Sequence, residues 1–272
     1  MNELLFIGDI GLDIYPDQTL PGGCSLNAAT RAKFYCDMYN LNLKITLAGP
    51  SSISKSIIDD YLQSMDISKL LFKREGSWPT QIIENLPNGE KSFIKYEEGV
   101  FKDFFLTTSE KCFLNNFSGH VVMPVFAQAL SFNHSVIDNL HKAKIFLDFF
   151  DLTDFNRNIN DIKSMLNQSH GAFFGLNKSD KTLINEIKQF SQSTGKPCLV
   201  TLGKDGAVYF DDKEYSVDAK KVNVIDTTGA GDTFIATFMS AKISGENTED
   251  ALKYARDHSA EVVAQKGCLI TL

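Results

Sequence analysis

The sequence predicts an α/β fold: a mostly parallel central sheet with helices on both faces and a small β-lid over one end. Three observations predict it. Short apolar runs alternate with helical patterns through most of the chain, as in βαβ units. Residues 68–100 break that rhythm with hairpin chemistry. Two glycine-bearing turns, at residues 21–29 and 226–232, each open a helix. The 272 residues are expected to form one domain, with lid segments near 12–20 and 68–100. That length is normal for a large single α/β unit and can bury a sizeable core.

The elements follow in order. Leu4-Leu5-Phe6-Ile7 reads as a buried strand ending in Gly8-Asp9-Ile10-Gly11-Leu12-Asp13. Asp13 is therefore expected beyond the carboxyl end of a strand, where open α/β sheets bind ligands. A carboxylate there can take two neighbouring hydroxyls; a solvated Asp in a plain loop is the other reading. Pro21-Gly22-Gly23-Cys24-Ser25-Leu26-Asn27-Ala28-Ala29 opens a helix expected to run to about Asn40. Gly22 and Gly23 let backbone approach a ligand, and Asn27 can donate and accept hydrogen bonds. Residues 45–48, 121–123, 145–148 and 173–175 read as further buried strands, with helices over 56–65, 135–142 and 181–193. Pro87-Asn88-Gly89-Glu90 is a hairpin turn between residues 81–84 and 92–95, read as lid or as a plain edge hairpin. Asn177-Lys178-Ser179-Asp180 precedes the third of those helices, with Asp180 placed to cap it. Residues 198–201 and 207–210 are strands joined by Leu202-Gly203-Lys204-Asp205-Gly206.

Asp226-Thr227-Thr228-Gly229-Ala230-Gly231-Asp232 carries the most chemistry. The Gly-Ala-Gly turn lets several N–H groups point one way. It stands at the start of an apolar helix, whose dipole favours an anion. Asp232 falls in the first turn of that helix. A carboxylate beside a phosphate repels it, but is placed to take a proton from a hydroxyl that attacks it. A simple turn with the Asp as a cap fits this segment equally well.

Gly22, Gly23, Asn27, Ala28 and Ala29 together with residues 226–232 resemble the two signatures of the PfkB family of carbohydrate kinases, which have the ribokinase-like fold. The resemblance implies a ribokinase-like three-layer sandwich with a lid over a sugar site. It implies that Asp232 is the catalytic base and that Gly229, Ala230 and Gly231 form the anion hole. Asp13, Gly22, Gly23 and Asn27 would bind the sugar. Thr201, Gly203 and Gly206 resemble the family's nucleotide loop, and Lys266-Gly267 its adenine-pocket loop, where some members hold a monovalent cation such as K+. Asn177 and Asp180 stand where the family has Asn-x-x-Glu, which helps hold Mg2+, and Asp226 is a further metal candidate. The cofactors implied are ATP and Mg2+. Lid strands of the family often pair between subunits, which makes a homodimer an expectation by analogy. Within the family the chain resembles fructoselysine 6-kinases, through Ile7-Gly8-Asp9, Asp13-Ile14-Tyr15-Pro16 and Tyr96-Glu97-Glu98-Gly99-Val100. Glu97 or Glu98 on the lid could then meet a substrate cation. Gly49-Pro50-Ser51 departs from the family's acidic loop, and Thr237 stands where it has Gly or Ala.

Composition narrows the alternatives. A net charge of −7 without a Lys/Arg cluster argues against a nucleic-acid partner. Five cysteines without a Cys-x-x-Cys pair fit a reducing cytoplasm and no structural metal. No apolar run approaches membrane-spanning length, and the N-terminus lacks a signal-peptide pattern. The expected function is ATP-dependent transfer of a phosphoryl group to a primary hydroxyl of a small sugar, with a fructosamine as the substrate to test first. A ribokinase or nucleoside kinase of the same family is one alternative. A sensor of sugar or nucleotide without turnover is another.

Overall fold

The computed structural model describes residues 2–85 and 91–268, apart from the side chains of residues 85 and 91. The expected turn at Pro87-Asn88-Gly89-Glu90 lies outside the described residues.

The chain begins with β1 (Asn2–Ile7). It then forms a hairpin, β2 (Gly11–Ile14) and β3 (Thr19–Gly22), and enters α1 (Cys24–Met38). β4 (Leu43–Ser52), α2 (Ile57–Ser64) and β5 (Ser68–Arg74) follow, α2 opened by a capping box between Ser56 and Asp59. β6 (Thr80–Asn85) and β7 (Lys91–Glu97) pair with each other. Next come α3 (Thr108–Asn116), β8 (His120–Pro124), α4 (Leu130–Ile137) and β9 (Lys144–Asp148). α5 (Lys163–Gln168), β10 (Gly171–Gly175), α6 (Lys181–Thr194) and β11 (Cys198–Thr201) continue the alternation. The last elements are β12 (Ala207–Phe210), β13 (Glu214–Val217), α7 (Ala230–Ile243) and α8 (Thr248–Val262).

The nine-stranded sheet has the order β13-β12-β11-β10-β9-β8-β1-β4-β5. From β11 to β5 all neighbours are parallel, and β12 and β13 close one edge antiparallel. Alternate strand residues face two cores. Leu5, Ile7, Val121, Ile145 and Phe174 pack under Leu114 of α3, Phe132 of α4, Leu166 of α5 and Ile187 of α6. Leu4, Phe6, Val122 and Phe173 pack under Leu26 of α1, Ile58 of α2, Phe238 of α7 and Leu252 of α8. A fully buried side chain of this size contributes about 1.5–3 kcal/mol. The result is the expected three-layer α/β sandwich. β1 leads out to β4 on one side, and the chain later returns on the other side with β8. The sheet therefore has a topological switch between β1 and β8, and the crevice at their carboxyl ends is the natural ligand site.

The lid is a second sheet, in the order β3-β2-β6-β7. Three expectations change here. Residues 68–74 belong to the main sheet, because β5 pairs with β4 from Ser68 to Arg74. Gly49-Pro50-Ser51 is strand and not loop: beyond Ala48, β4 has no β1 partner, so Pro50 loses no ladder bond. α4 begins at Leu130, five residues before the expected helix, with Phe132 and Val136 as its buried face. Asp13, within the segment expected near 12–20, sits in lid strand β2, opposite Leu20 and Gln81.

Candidate active site

A cleft of about 550 Å3 lies between the switch point and the lid. Its walls bring together Asp9, Asp13, Gly23, Asn27, Gly229 and Asp232. Asp9 leaves β1 and does the work of a helix cap. Gly23 has no side chain, so Asp9 accepts from the first α1 amides, Cys24 N at 2.9 Å and Ser25 N at 3.3 Å. A side chain at Gly23, where φ is 98°, would meet the Asp9 carbonyl at 2.7 Å. α1 is thereby pinned to β1, which fixes Asn27 one turn further in. The Asn27 amide donates to Asp232 Oδ2 at 2.9 Å. Gly22 lies against Asp13, whose carboxylate would be only 2.3 Å from an added Cβ.

The turn before α7 is shaped by Asp226. Its oxygens accept from Thr228 N at 2.8 Å and Gly267 N at 3.0 Å, and the Tyr15 hydroxyl lies 3.3 Å away. Gly229 then takes φ 74°, and an added Cβ would strike Cys268 Sγ at 2.2 Å. Arg31 of α1 holds the Cys268 carbonyl through Nε at 2.6 Å. The Ala230 N–H is spent on the Thr227 carbonyl at 3.2 Å. Among the described residues the N–H groups of Gly229, Gly231 and Asp232 have no acceptor. The open donors are thus shifted from the expected Gly229-Ala230-Gly231 set. Nothing lies within 4 Å of a Cβ built on Gly231, so that position faces open space.

Charge is concentrated in the cleft. The Asp232 carboxyl is pushed up to about 8, first by loss of water; the Asn27 bond opposes this, while Asp148, Asp9 and Asp13 add to it. Asp13 rises to about 7 by burial and by Asp9 and Asp226. Asp148, at the end of β9, also rises to about 7, through burial and Asp9. Asp9 is raised by burial against its backbone bonds. Carboxylates this close in low dielectric cannot all ionise cheaply. Asp13 is 8% exposed and has no hydrogen-bond partner among the described residues. Asn27 Oδ1 and the Tyr96 hydroxyl are likewise buried without one.

The nucleotide candidates lie elsewhere, at the carboxyl ends of β10 and β11. Thr201 Oγ1 donates to the Phe174 carbonyl at 3.3 Å. Gly203 and Gly206 take φ 55° and 97° in the turn after β11. Lys178 and Asp205, 3.9 Å apart, join this turn to the one holding Asn177 and Asp180. Asp180 stands at the N-cap position but caps no α6 amide. It accepts from Asn177 N at 2.9 Å and pairs with Arg157 at 2.7 Å. No group of three His, Cys, Asp or Glu side chains able to hold a metal occurs among the described residues. With Asp180 neutralised by Arg157 and Asp226 spent on backbone donors, these residues do not fit a protein cage for Mg2+. Lys266 has a partner of its own in this structure. It binds Asp17 in the lid hairpin at 2.6 Å, and Gly267 belongs to the Asp226 clamp. His258 is core, ringed by Phe34, Tyr35 and Tyr39.

Gln81 and Phe93 carried no sequence signal as wall residues, and Tyr96 only as part of a likeness. Gln81, Phe93 and Tyr96 line the cleft because a bulge at Ile94 turns Phe93 and Tyr96 to one side. Glu97 pairs with Lys95 at 2.8 Å, both side chains exposed. Asp9 was legible only as part of a likeness, and its capping role needed α1 in place.

The fold and cleft define an α/β phosphotransferase, with a raised carboxylate set beside open amides at a helix start. The model for "pfkB family carbohydrate kinase" matches residues 131–272. Fructoselysine 6-kinase of Escherichia coli is 28% identical over 98% of this chain and 99% of its own. A probable sugar kinase from Rhizobium etli shares the fold with TM-score 0.82 at 16% identity, over 100% of this chain and 96% of its own. Arabidopsis thaliana ribokinase, solved with ribose and ATP, gives 0.73 at 18% identity, over 98% and 94%. The chain belongs to the pfkB family of carbohydrate kinases. It is a sugar kinase, a phosphotransferase acting on a hydroxyl group.

Proposed function

We propose that the enzyme transfers the γ-phosphoryl group of ATP to the terminal primary hydroxyl of a fructosamine such as fructoselysine. The observation that carries this reading is Asp232, held by Asn27 at 2.9 Å and standing beside the open amides of Gly231 and its own residue. Asp13, Asn27 and the Gly22-Gly23 backbone seat the sugar hydroxyls. Asp232 accepts the proton of the attacking hydroxyl, which its raised pKa favours near neutrality. The amides of Gly229, Gly231 and Asp232 stabilise charge on the transferred group, with Ala230 contributing helix geometry and not a donor. ATP lies along the turn from Thr201 to Gly206. Mg2+ is assigned to the nucleotide's own phosphates, where it neutralises their charge. The likeness to fructoselysine 6-kinase supports the substrate, and the reaction is assigned to the cytoplasm, where ATP is supplied. The lid edge β7, with Ile94 52% exposed, is assigned to a homodimer contact.

The test is ATP consumption with fructoselysine, fructose, ribose and adenosine, with and without K+, products identified by mass. The expected result is highest kcat/KM on fructoselysine. A better rate on ribose or adenosine would replace the substrate. ATP binding without turnover on any of the four would turn the reading to a sensor.

A further inference from the structure

A second hollow, of about 520 Å3, opens at the other end of the sheet. It lies against the amino ends of β8, β9 and β10, on the face that carries α1, α7 and α8. Its walls are aromatic: Phe146, Phe173, Tyr209 and Phe238, with His120 and Lys242. His120, Phe146 and Phe173 form one stacked row, with centroids 6.2 and 6.1 Å apart and ring planes within 27° and 24°. Tyr209 and Phe238 make an opposing tilted pair at 4.9 Å. Phe146 and His120 remain half-buried, beside the end of α7 that carries Phe238 and Lys242.

Two cations, Lys242 and Lys144, stand beside it. Lys242 makes one hydrogen bond, to Thr248 Oγ1 at 3.0 Å, and has no carboxylate partner among the described residues. Lys144 stands two residues before Phe146, hence on the same face of β9, exposed and also without a carboxylate partner. Burial, Lys144 and His170 together hold His120 below its ordinary range. The Tyr209 hydroxyl donates to Asp211 at 3.4 Å, which occupies the acidic neighbour of that wall. In a chain of net charge −7, two unpaired lysines beside a stacked row are a local inversion. We propose that this hollow is a second ligand site, for a flat aromatic ring carrying an acidic group. The ring lies against the Phe146–Phe173 row and the acid meets Lys242 and Lys144. An aromatic carboxylate and a nucleotide monophosphate share this chemistry.

The probes are 2-naphthoate and AMP, titrated against the whole protein while the ring signals of its five histidines are followed by NMR. The expected result is saturable movement of His120 with His134 and His141 still. Lys242→Gln and Lys144→Gln should each weaken that response about tenfold or more, as loss of a charge-assisted hydrogen bond does. If one variant fails to fold, the other carries the test. Whichever probe acts at lower concentration names the source. A still His120 with both probes up to about 5 mM, or equal binding by the folded lysine variants, overturns the proposal.

Discussion

The proposed sugar end and the proposed nucleotide end of the site are built on opposite principles. At the sugar end, Asp13, Asn27 Oδ1 and the Tyr96 hydroxyl are buried or nearly so, and unpaired. At the nucleotide end, Asp180, Thr201 and Asp205 all have partners within the protein, and the glycine turn is open. A buried polar group without a partner costs stability until a ligand supplies one, and it rejects ligands that cannot. A self-satisfied turn offers backbone and shape, which any nucleotide with the right phosphates can use. The contrast assigns selectivity to the sugar end and tolerance to the nucleotide end.

The largest expected effect is at the shared centre. Asp232→Asn should lower kcat by about 10²- to 10⁴-fold while ATP binding persists, because the amide cannot accept the proton. In the parent enzyme kcat/KM should climb with pH toward about 8, as the raised Asp232 carboxyl deprotonates. A flat profile from pH 6 to 9, or a variant with parent-like kcat, would remove Asp232 as the base.

Two glycines should separate fold from chemistry. Gly231→Val has free space for its side chain, so the thermal midpoint should hold while turnover falls by about 10²-fold or more through blocked amides. Gly229→Val meets Cys268 and keeps a left-handed φ, so it should lower the midpoint as well. Equal midpoints for the two variants would break this distinction.

Asp13→Asn sharpens the contrast most directly. The Asp13 pKa is raised in the folded state, so ionisation weakens folding. The native state holds its proton longer than the unfolded chain, and stability present below about pH 4 is lost as pH rises through about 7. The variant should therefore melt higher than the parent at pH 8, with the gap closing toward pH 5, and lose sugar kcat/KM. A midpoint below the parent's at pH 8 would mean that Asp13 is not an uncompensated charge. The smallest effect is expected from Asp180→Asn. An exposed ion pair to Arg157 tunes little, so KM for ATP should change less than about tenfold and sugar selectivity not at all. A collapse of activity would restore the metal role.

Much of this was legible before any coordinates. The 226–232 turn, the glycine pair with Asn27 and the parallel strand runs are local patterns, and local chemistry set them. What stayed hidden was set by distant partners. The sequence around Lys266 does not show its ion pair with Asp17, 249 residues away. Nor does the sequence around Asp226 show that Gly267 and Thr228 donate to its oxygens. Residues 68–74 group with the lid in the sequence because the βα rhythm breaks at residue 68, and only their pairing with β4 places them in the main sheet. The single residue that tips Phe93 and Tyr96 into the cleft, Ile94, has nothing in its own chemistry that announces a bulge.

The latch behind the phosphate turn has a consequence for biosynthesis. Arg31 takes its acceptor from residue 268 and Asp226 one of its donors from residue 267, spans of 237 and 41 positions. During translation the sheet strands and both signature helices can emerge and pack before these contacts exist. The catalytic turn is closed only after residue 268 has left the ribosome. Pairings of such long range are slow to form, because chain entropy is spent before the contact repays it. Competence is thus the final act of folding, and a nascent chain with its core already in place has no finished turn with which to spend ATP.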